Sequence, residues 1–413
     1  CYHLDPYLSG AEELRAEFAQ RMAGATLGLV EGNKGLYDGL ALDGSNSNAA
    51  LAKRLQLPVL LVIDARGMTR GIAPLLLGYQ AFDRDIRIGG VILNRVGGAR
   101  HESKLRAVIE HYTDLPVLGA VAEDPRLAVL ERHLGLMPCN ELGDAAARVQ
   151  TIGHIIGSQV DLAAVRAFAA SAGPAPWPAA QPVPVRTKDL RIGIARDRAF
   201  GFYYPDDLAA LEAAGAELVT LDLLHDTQLP PLDGLFIGGG FPEACLDELE
   251  ANAPMRAALR AAIEGGLPTY AECGGLMVLA RSITWNGRTA AMVGAIPGDA
   301  VMHARPVGRG YVHLEPTIHH PWAEPGVALR GHEFHHSSLD NLAPEVAFGY
   351  RVTRGHGVDG LNDGVRVHNL LASYAHLRTA AGGHWAPRFV EFVRSERQRR
   401  AGCSTSARAA RPA

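Results

Sequence analysis

Apolar runs alternate with charged, amphipathic stretches through the first 140 residues of the chain. The amphipathic stretches predict helices at 11–23 and 47–55, with a further helical region at 144–170. Runs rich in Val, Ile and Leu predict strands at 25–30, 58–64, 88–93 and 116–119. Continuous apolar strands separated by helices are typical of a parallel sheet that is covered on both faces. This part of the chain therefore predicts an α/β domain.

A proline-rich segment divides the chain into two parts. Residues 171–188 contain five prolines, which predict a semi-rigid linker. Beyond it a second α/β pattern begins, with predicted strands at 190–195, 217–221, 234–238 and 267–271 and predicted helices at 205–214 and 244–265. We therefore expect two parallel-sheet domains, at 1–170 and 189–395. The last residues, 396–413, are rich in Arg, Ala and Ser and predict a disordered tail.

The composition excludes several classes of protein. Hydrophobic residues make up 47% of the chain, charged residues 20%, and the net charge is −4, so nucleic acid is not an expected partner. No apolar run approaches the roughly 18 residues of a membrane helix. The five cysteines form no CxxC pair, which argues against a disulfide framework or a zinc site and fits a reducing compartment. We expect a cytoplasmic protein without a membrane partner.

One stretch combines a strand with a reactive side chain. The apolar run Leu267–Ala271 is followed by Glu272, Cys273, two glycines and an apolar helical start. This order is typical of a nucleophile elbow, a sharp strand-to-helix turn that presents a side chain at the carboxyl edge of a parallel sheet. The amino end of the following helix would favour a thiolate. A buried, unreactive cysteine beside a glycine turn fits the same pattern.

Three further stretches carry candidate chemistry. Residues 238–243 (GGGFPE) end a predicted strand in free backbone N–H groups, an arrangement that suits a developing oxyanion. Residues 331–337 (GHEFHHS) contain three histidines, which favour a polar strand that lines a pocket over a metal site, because no full ligand set surrounds them. His376 follows the strand-like run 369–373 and is a candidate base for Cys273.

The order of these motifs resembles a known family. A GGGFPE turn, a YAEC-GG elbow, an HEFH stretch and an SYAH stretch resemble the class I glutamine amidotransferase domain of the variety that amidates corrinoid side chains, over 189–395. Upstream, the stretches 30–39, 64–67, 90–97 and 131–136 resemble the ATP-binding half of the cobyrinic acid a,c-diamide synthase family. The resemblance implies a deethiobiotin-synthetase-like domain of the P-loop NTPase type, followed by a flavodoxin-like amidotransferase domain.

The resemblance assigns roles in the second domain. Cys273 would be the nucleophile that forms a γ-glutamyl thioester with glutamine and releases ammonia, and His376 would be its base. Gly240 and Gly274 would supply the N–H groups of the oxyanion hole. Ammonia would then travel inside the protein to the first domain.

The resemblance also assigns roles in the first domain. There ATP would phosphorylate a carboxylate of a tetrapyrrole, and ammonia would displace the phosphate. Glu31 and Asp38 match acidic positions that bind ATP and magnesium, and carboxylates at strand ends are natural Mg²⁺ ligands in triphosphate chemistry. Asn94 fits a nucleobase contact.

The sequence departs from the family pattern in two places. Class I amidotransferases usually carry a glutamate two residues after the histidine, but Arg378 stands here, so Glu243 or a backbone carbonyl is expected to orient His376. No G-x-x-x-x-G-K-[ST] phosphate loop occurs in the chain, and the first residue is Cys1. We therefore expect an N-terminal truncation that leaves the first domain partial, without its first strand. Such a fragment would keep glutaminase chemistry and lose ATP-driven amidation.

Three functions follow from this pattern. The first is glutamine- and ATP-dependent amidation of the a and c acetates of cobyrinate or hydrogenobyrinate in cobalamin biosynthesis, and a homodimer is one assembly that the sequence allows. The second is the same amidation of sirohaem or sirohydrochlorin, because the stretches 31–35 and 44–48 look closer to relatives with those substrates. The third is a glutaminase-only or non-catalytic cysteine domain, since the triad is incomplete.

Overall fold

The computed structural model describes residues 2–129, 131–132, 135–136, 145–173, 177, 186–379 and 384–409. It divides into two compact units. The N-terminal unit contains Leu4–Leu130 and Leu142–Gln181, and the C-terminal unit contains Pro182–Ala413 with two short earlier segments. Most of the predicted linker (174–176 and 178–185) and residues 133–134 of an upstream motif lie outside the described residues.

The N-terminal unit is built on a parallel three-stranded sheet of order β1-β2-β3. Its buried core includes Leu61, Val91, Leu93 and Leu105. In chain order its elements are α1 Ala11–Met22, α2 Asn48–Arg54, β1 Val59–Asp64, α3 Ile72–Phe82, β2 Ile88–Val96, α4 Ala99–Tyr112, β3 Val117–Ala122, α5 Ala145–Gly157 and α6 Leu162–Ala170. Between β3 and α5, the short strands β4 Glu131–Arg132 and β5 Gly135–Leu136 belong to the C-terminal unit.

These bounds confirm most of the elements predicted for this half, and one prediction is wrong. The run 25–30 forms no strand, and its side chains are exposed, with Leu29 93% exposed. No strand of the described sheet pairs with this run. Apolar β-forming residues become a strand only when a neighbouring backbone completes their hydrogen bonds, so local composition alone does not decide the outcome.

The C-terminal unit contains a ten-stranded mixed sheet. Its order is β21-β16-β15-β18-β19-β20-β11-β9-β6-β8, where the five strands from β20 to β8 are parallel and the other five extend the sheet in antiparallel fashion. The strands are β6 Leu190–Ala195, β7 Phe200–Phe202, β8 Ala216–Leu221, β9 Gly234–Ile237, β10 Gly239–Gly240, β11 Thr269–Glu272, β12 Ser282–Trp285, β13 Arg288–Ala291, β14 Asp299–Met302, β15 Gly308–Pro316, β16 Leu329–His335, β17 Ser337–Asp340, β18 Ala347–Arg354, β19 Asn362–Val367, β20 Leu370–Ser373 and β21 His376–Leu377.

In the described part of this unit, the α-helices beside the sheet are α7 Pro205–Ala213, α8 Leu246–Ala251, α9 Ala253–Glu264, α10 Gly274–Leu279 and α11 Trp385–Ala409. The predicted helix 244–265 is interrupted at Asn252, whose Oδ1 accepts from the N–H of Met255 and caps α9. The Nδ2 of Asn252 donates to the carbonyls of Leu223 and Asp226. A capping asparagine held from both sides favours a break over a continuous helix.

The prediction of a disordered tail from residue 396 is wrong as far as Ala409, because α11 continues to that residue. Glu396 accepts a hydrogen bond from Asn369 Nδ2 and forms an ion pair with Arg399 one turn later. The first contact ties the helix to the residue before β20, and the second stabilises the helix itself beyond the predicted boundary. Residues 410–413 lie outside the described part of the chain. None of the helices in that described part has the length and apolar character needed to cross a bilayer.

Candidate active site

The predicted elbow forms at the end of β11. This strand lies between the parallel strands β9 and β20, and it runs directly into the six-residue helix α10. Cys273, at the junction, has φ 49° and ψ −104°, in the region that non-glycine residues rarely adopt. Such a conformation costs on the order of 1–3 kcal/mol and persists where neighbouring structure holds it. The backbone N–H of Cys273 donates to the carbonyl of Ser373 at 2.8 Å, so β20 supplies part of that support.

The structure brings His376 to Cys273, as predicted. β20 ends at Ser373, and His376 begins β21 only three residues later. The Cys273 side chain is close enough to the imidazole to help raise the pKa of His376. The ring of Phe202 packs edge-on against the imidazole with 5.1 Å between centroids, and the ring of His332 lies 5.4 Å away. The imidazole is therefore fixed on three sides.

A buried carboxylate completes a three-residue arrangement, and it belongs to Glu272. Its Oε2 lies 3.3 Å from Nδ1 of His376. Its Oε1 accepts from the hydroxyl of Tyr270 at 2.8 Å and from the N–H of Leu377 at 3.1 Å. Glu272 therefore orients His376, which corrects the expectation of Glu243 or a backbone carbonyl. The sequence signal was present: an acidic residue at a strand end, directly before the nucleophile.

The electrostatics favour a charged histidine at this site. Burial opposes the imidazolium form, but the side chains of Cys273 and Glu272 outweigh it and raise the pKa of His376 to about 10. An imidazolium beside the sulfur stabilises a thiolate. Burial and the charge on His376 lower the pKa of the neighbouring His332 to about 3, so His332 is the neutral member of the pair.

The two predicted oxyanion-hole glycines lie against each other. A Cβ on Gly274 would come within 2.8 Å of the carbonyl oxygen of Gly240 and 3.0 Å of its nitrogen. A Cβ on Gly240 would come within 1.9 Å of the carbonyl oxygen of Ala199, so only glycine fits there. As the first residue of α10, Gly274 has a backbone N–H with no acceptor inside the helix.

Arg378 has a separate structural role. It is buried, forms an ion pair with Asp206 and donates to the carbonyl of His3. Its guanidinium lies 5.1 Å from the ring centroid of Tyr204. The arginine at the usual glutamate position therefore pairs with Asp206 and contacts Tyr204, while Glu272 supplies the carboxylate from another strand.

The histidine-rich strand β16 passes beside the nucleophile. The carbonyl of Phe334 lies 3.9 Å from Sγ of Cys273. The carboxylate of Glu333 accepts from the N–H groups of His356 and Gly357, and His335 stacks on Tyr374 with 3.9 Å between ring centroids. The described residues contain no group of three or more His, Cys, Asp or Glu side chains placed to hold a metal ion.

In the N-terminal unit, a cavity of about 540 Å³ is lined by polar and aromatic residues that include Tyr37, Asp38, Ser47 and Lys53. Glu31 is exposed and does not line this cavity. Asn94 lies at the end of β2 beside Asp64 of β1, and its Oδ1 accepts from the N–H of Arg95. Of the three residues predicted to bind nucleotide or magnesium, only Asp38 faces the cavity.

Comparisons with known proteins give a family match for each of the two units. Residues 191–383 match a family described as the CobB/CobQ-like glutamine amidotransferase domain, and residues 12–130 match one described as an AAA domain. Cobyrinate a,c-diamide synthase of Magnetococcus marinus is 42% identical over 95% of this chain and 86% of its own length. The chain belongs to the cobyrinate a,c-diamide synthase family. The synthases of Methanosarcina acetivorans and Methanothermobacter thermautotrophicus are 40% and 37% identical, over 97% and 94% of this chain and 86% and 87% of their own lengths.

Family membership confirms the resemblance drawn from the motifs and the expected pair of α/β domains. The amidotransferase match contains Cys273, His376 and both predicted oxyanion-hole glycines. The AAA match contains Glu31, Asp38 and Asn94. This family member therefore carries one candidate site in each matched domain.

Proposed function

We propose that this chain is a glutamine- and ATP-dependent amide ligase that converts the a and c acetate carboxylates of cobyrinate to amides in cobalamin biosynthesis. The observation that carries the proposal is the arrangement of Cys273, His376 and Glu272 at a strained elbow. This arrangement is what thiolate attack on an amide requires. Membership of a family of cobyrinate a,c-diamide synthases supports the substrate, and it supports ATP-driven amidation against the expectation that this activity is lost.

The glutaminase half-reaction follows from the geometry. The thiolate of Cys273 attacks the side-chain amide carbon of glutamine, and the N–H of Gly274, with that of Gly240, stabilises the oxyanion. The carbon–nitrogen bond breaks as the His376 imidazolium donates a proton to the leaving nitrogen, which departs as ammonia. The neutral imidazole then takes a proton from water, the water attacks the thioester, and glutamate is released.

The synthetase half-reaction uses ATP as co-substrate. ATP phosphorylates a carboxylate of the tetrapyrrole, and ammonia displaces the phosphate to form the amide. We infer that Asp38 would hold Mg²⁺ with the nucleotide, whereas Glu31 and Asn94 do not line the cavity that Asp38 faces. The position of Asp38 at this cavity, beside Ser47 and Lys53, supports its part. In triphosphate sites one or two protein carboxylates suffice, because phosphate oxygens and water complete the metal shell.

Replacement of Cys273 distinguishes the glutaminase half-reaction from the synthetase half-reaction. Cys273→Ser should abolish amidation supported by glutamine and leave amidation supported by ammonium salts intact, because external ammonia bypasses the thioester. The measurement is mass spectrometry of the tetrapyrrole product together with an assay of glutamate release. Equal glutamine-supported turnover in the variant and the wild type would overturn the proposal.

A further inference from the structure

A cation without a carboxylate partner among the described residues lies on the sheet face that carries His376. The guanidinium of Arg309 on β15 lies 5.5 Å from the ring centroid of Phe334 and is exposed. Within the described ranges it has no carboxylate partner, whereas Arg351 on the adjacent strand β18 forms an ion pair with Glu315. An arginine held over an aromatic ring without an anion is available to bind one.

Strand register places Arg309 on the same face as His376. His332 of β16 is paired with His376 of β21 on one side and with Tyr311 of β15 on the other. Two residues further along β16, Phe334 is paired with Arg309. Residues that are directly paired, or two apart along a strand, point to one face of a sheet. The ring contact between His332 and His376 and the contact between Arg309 and Phe334 agree with this register.

The distance between Arg309 and His376 suits a bound amino acid. Two strand spacings and two residues along the strand separate the backbones of Arg309 and His376 by about 12 Å. An arginine side chain and the carbon chain of glutamine together span such a distance. The carbonyl of Phe334, between them, lies 3.9 Å from Sγ of Cys273. With its amide carbon at the sulfur, glutamine would extend its α-carboxylate toward β15.

We propose that Arg309 binds the α-carboxylate of glutamine and so selects this amide over amides that lack the charge. The guanidinium presents paired donors that match a carboxylate, which lysine does not reproduce. The inference rests on the proposed glutaminase function and adds the residue that recognises its substrate.

Two thiol reagents test the proposal without turnover. Azaserine is a glutamine analogue that keeps the α-carboxylate, and iodoacetamide lacks it, while both alkylate a reactive thiolate. Arg309→Ala should slow alkylation of Cys273 by azaserine by about 10- to 100-fold, the range for loss of a hydrogen bond to a charged group. The rate with iodoacetamide should be unchanged. Arg309→Lys should be intermediate, and Arg351→Ala, which removes an exposed arginine elsewhere in the sheet, should match the wild type.

Each other outcome overturns the proposal. If Arg309→Ala reacts with azaserine at the wild-type rate, Arg309 does not bind the substrate, although the glutaminase function stands. If alkylation by both reagents slows equally, the substitution has altered the reactivity of the Cys273 thiolate and not the recognition of the α-carboxylate. If iodoacetamide labels Cys273 of the wild type and azaserine does not, the site is not a glutamine site, and the proposed function fails as well.

Discussion

Two adjacent residues at the end of β11 have different roles in the candidate site. Cys273 presents the sulfur through a positive φ, and Glu272, one residue earlier, points its carboxylate at the histidine that serves this sulfur. Successive side chains of a strand point to opposite faces, and the turn at Cys273 brings both back to the same imidazole. The proposed nucleophile and the carboxylate that orients His376 are therefore positioned by one stretch of backbone.

Removal of the negative charge of Glu272 should impair the function of His376, while the shape of the side chain at position 272 changes little. In Glu272→Gln the side-chain oxygen can still accept from Tyr270 and Leu377, but the negative charge beside His376 is gone. We expect glutamate release to fall on the order of 10²- to 10⁴-fold, the range for general acid–base catalysis. Steady-state kinetics with glutamine measures this loss. Ammonia-supported amidation is the control and should not change.

The same variant should alter the pH dependence of stability. A raised imidazole pKa stabilises the folded protein fully below the ordinary value of 6.5, and this stabilisation is lost as the pH rises toward about 10. The wild-type advantage over Glu272→Gln in free energy of unfolding should therefore shrink across that range. Urea denaturation at several pH values measures it. If the difference in free energy of unfolding between the two proteins did not change with pH, the charge of Glu272 would not stabilise the imidazolium form of His376.

At the scale of elements, β19 anchors the short connection between β20 and β21. The buried carboxylate of Asp363 accepts from the N–H groups of Gly364, Tyr374 and Ala375 at 2.8–3.0 Å. Tyr374 and Ala375 directly precede His376. The position of the His376 imidazole therefore depends on a carboxylate that lies on a different strand.

Replacement of this anchor should cost both stability and activity. In Asp363→Asn the amide nitrogen faces the N–H of Ala375, so one buried donor loses its acceptor, at a cost of about 1–3 kcal/mol in the free energy of unfolding. We also expect slower glutamate release, because His376 follows the disturbed connection. Chemical denaturation and the glutaminase assay measure the two effects.

Asp359 offers a matched control near the same strand. It is exposed and accepts from the N–H groups of Leu361 and Asn362 in a turn. Asp359→Asn should change the free energy of unfolding by about 0.5 kcal/mol or less and leave glutamate release unchanged. Equal effects of the two substitutions would show that Asp363 has no special part in placing His376.

For the whole molecule, the open question is which tetrapyrrole accepts the amide nitrogen. The relatives named above are cobyrinate a,c-diamide synthases, which favours cobyrinate over sirohydrochlorin. The protein should convert two carboxylates of cobyrinate to primary amides in the presence of ATP and glutamine. Mass spectrometry after incubation with each tetrapyrrole measures the product. Two amides on sirohydrochlorin and none on cobyrinate would contradict the expectation.

Local patterns of the sequence predicted the parallel strands of both units and the pairing of Cys273 with His376. Apolar runs predicted those strands, and the order of strand, cysteine and glycines predicted the elbow, because these signals depend on a few neighbouring residues. The prediction failed for 25–30 and for the helix 244–265. There the outcome depends on a partner strand or on the contacts of Asn252 with a distant loop.

Only the tertiary structure decided how the site is completed. The orientation of His376 by Glu272 joins residues about a hundred positions apart, and Arg378 is directed to Asp206 instead. Arg309 comes onto the face of His376 through the registers of β15, β16 and β21. Strand order and register set these distances, and both result from the packing of the whole sheet, which no single stretch of sequence specifies.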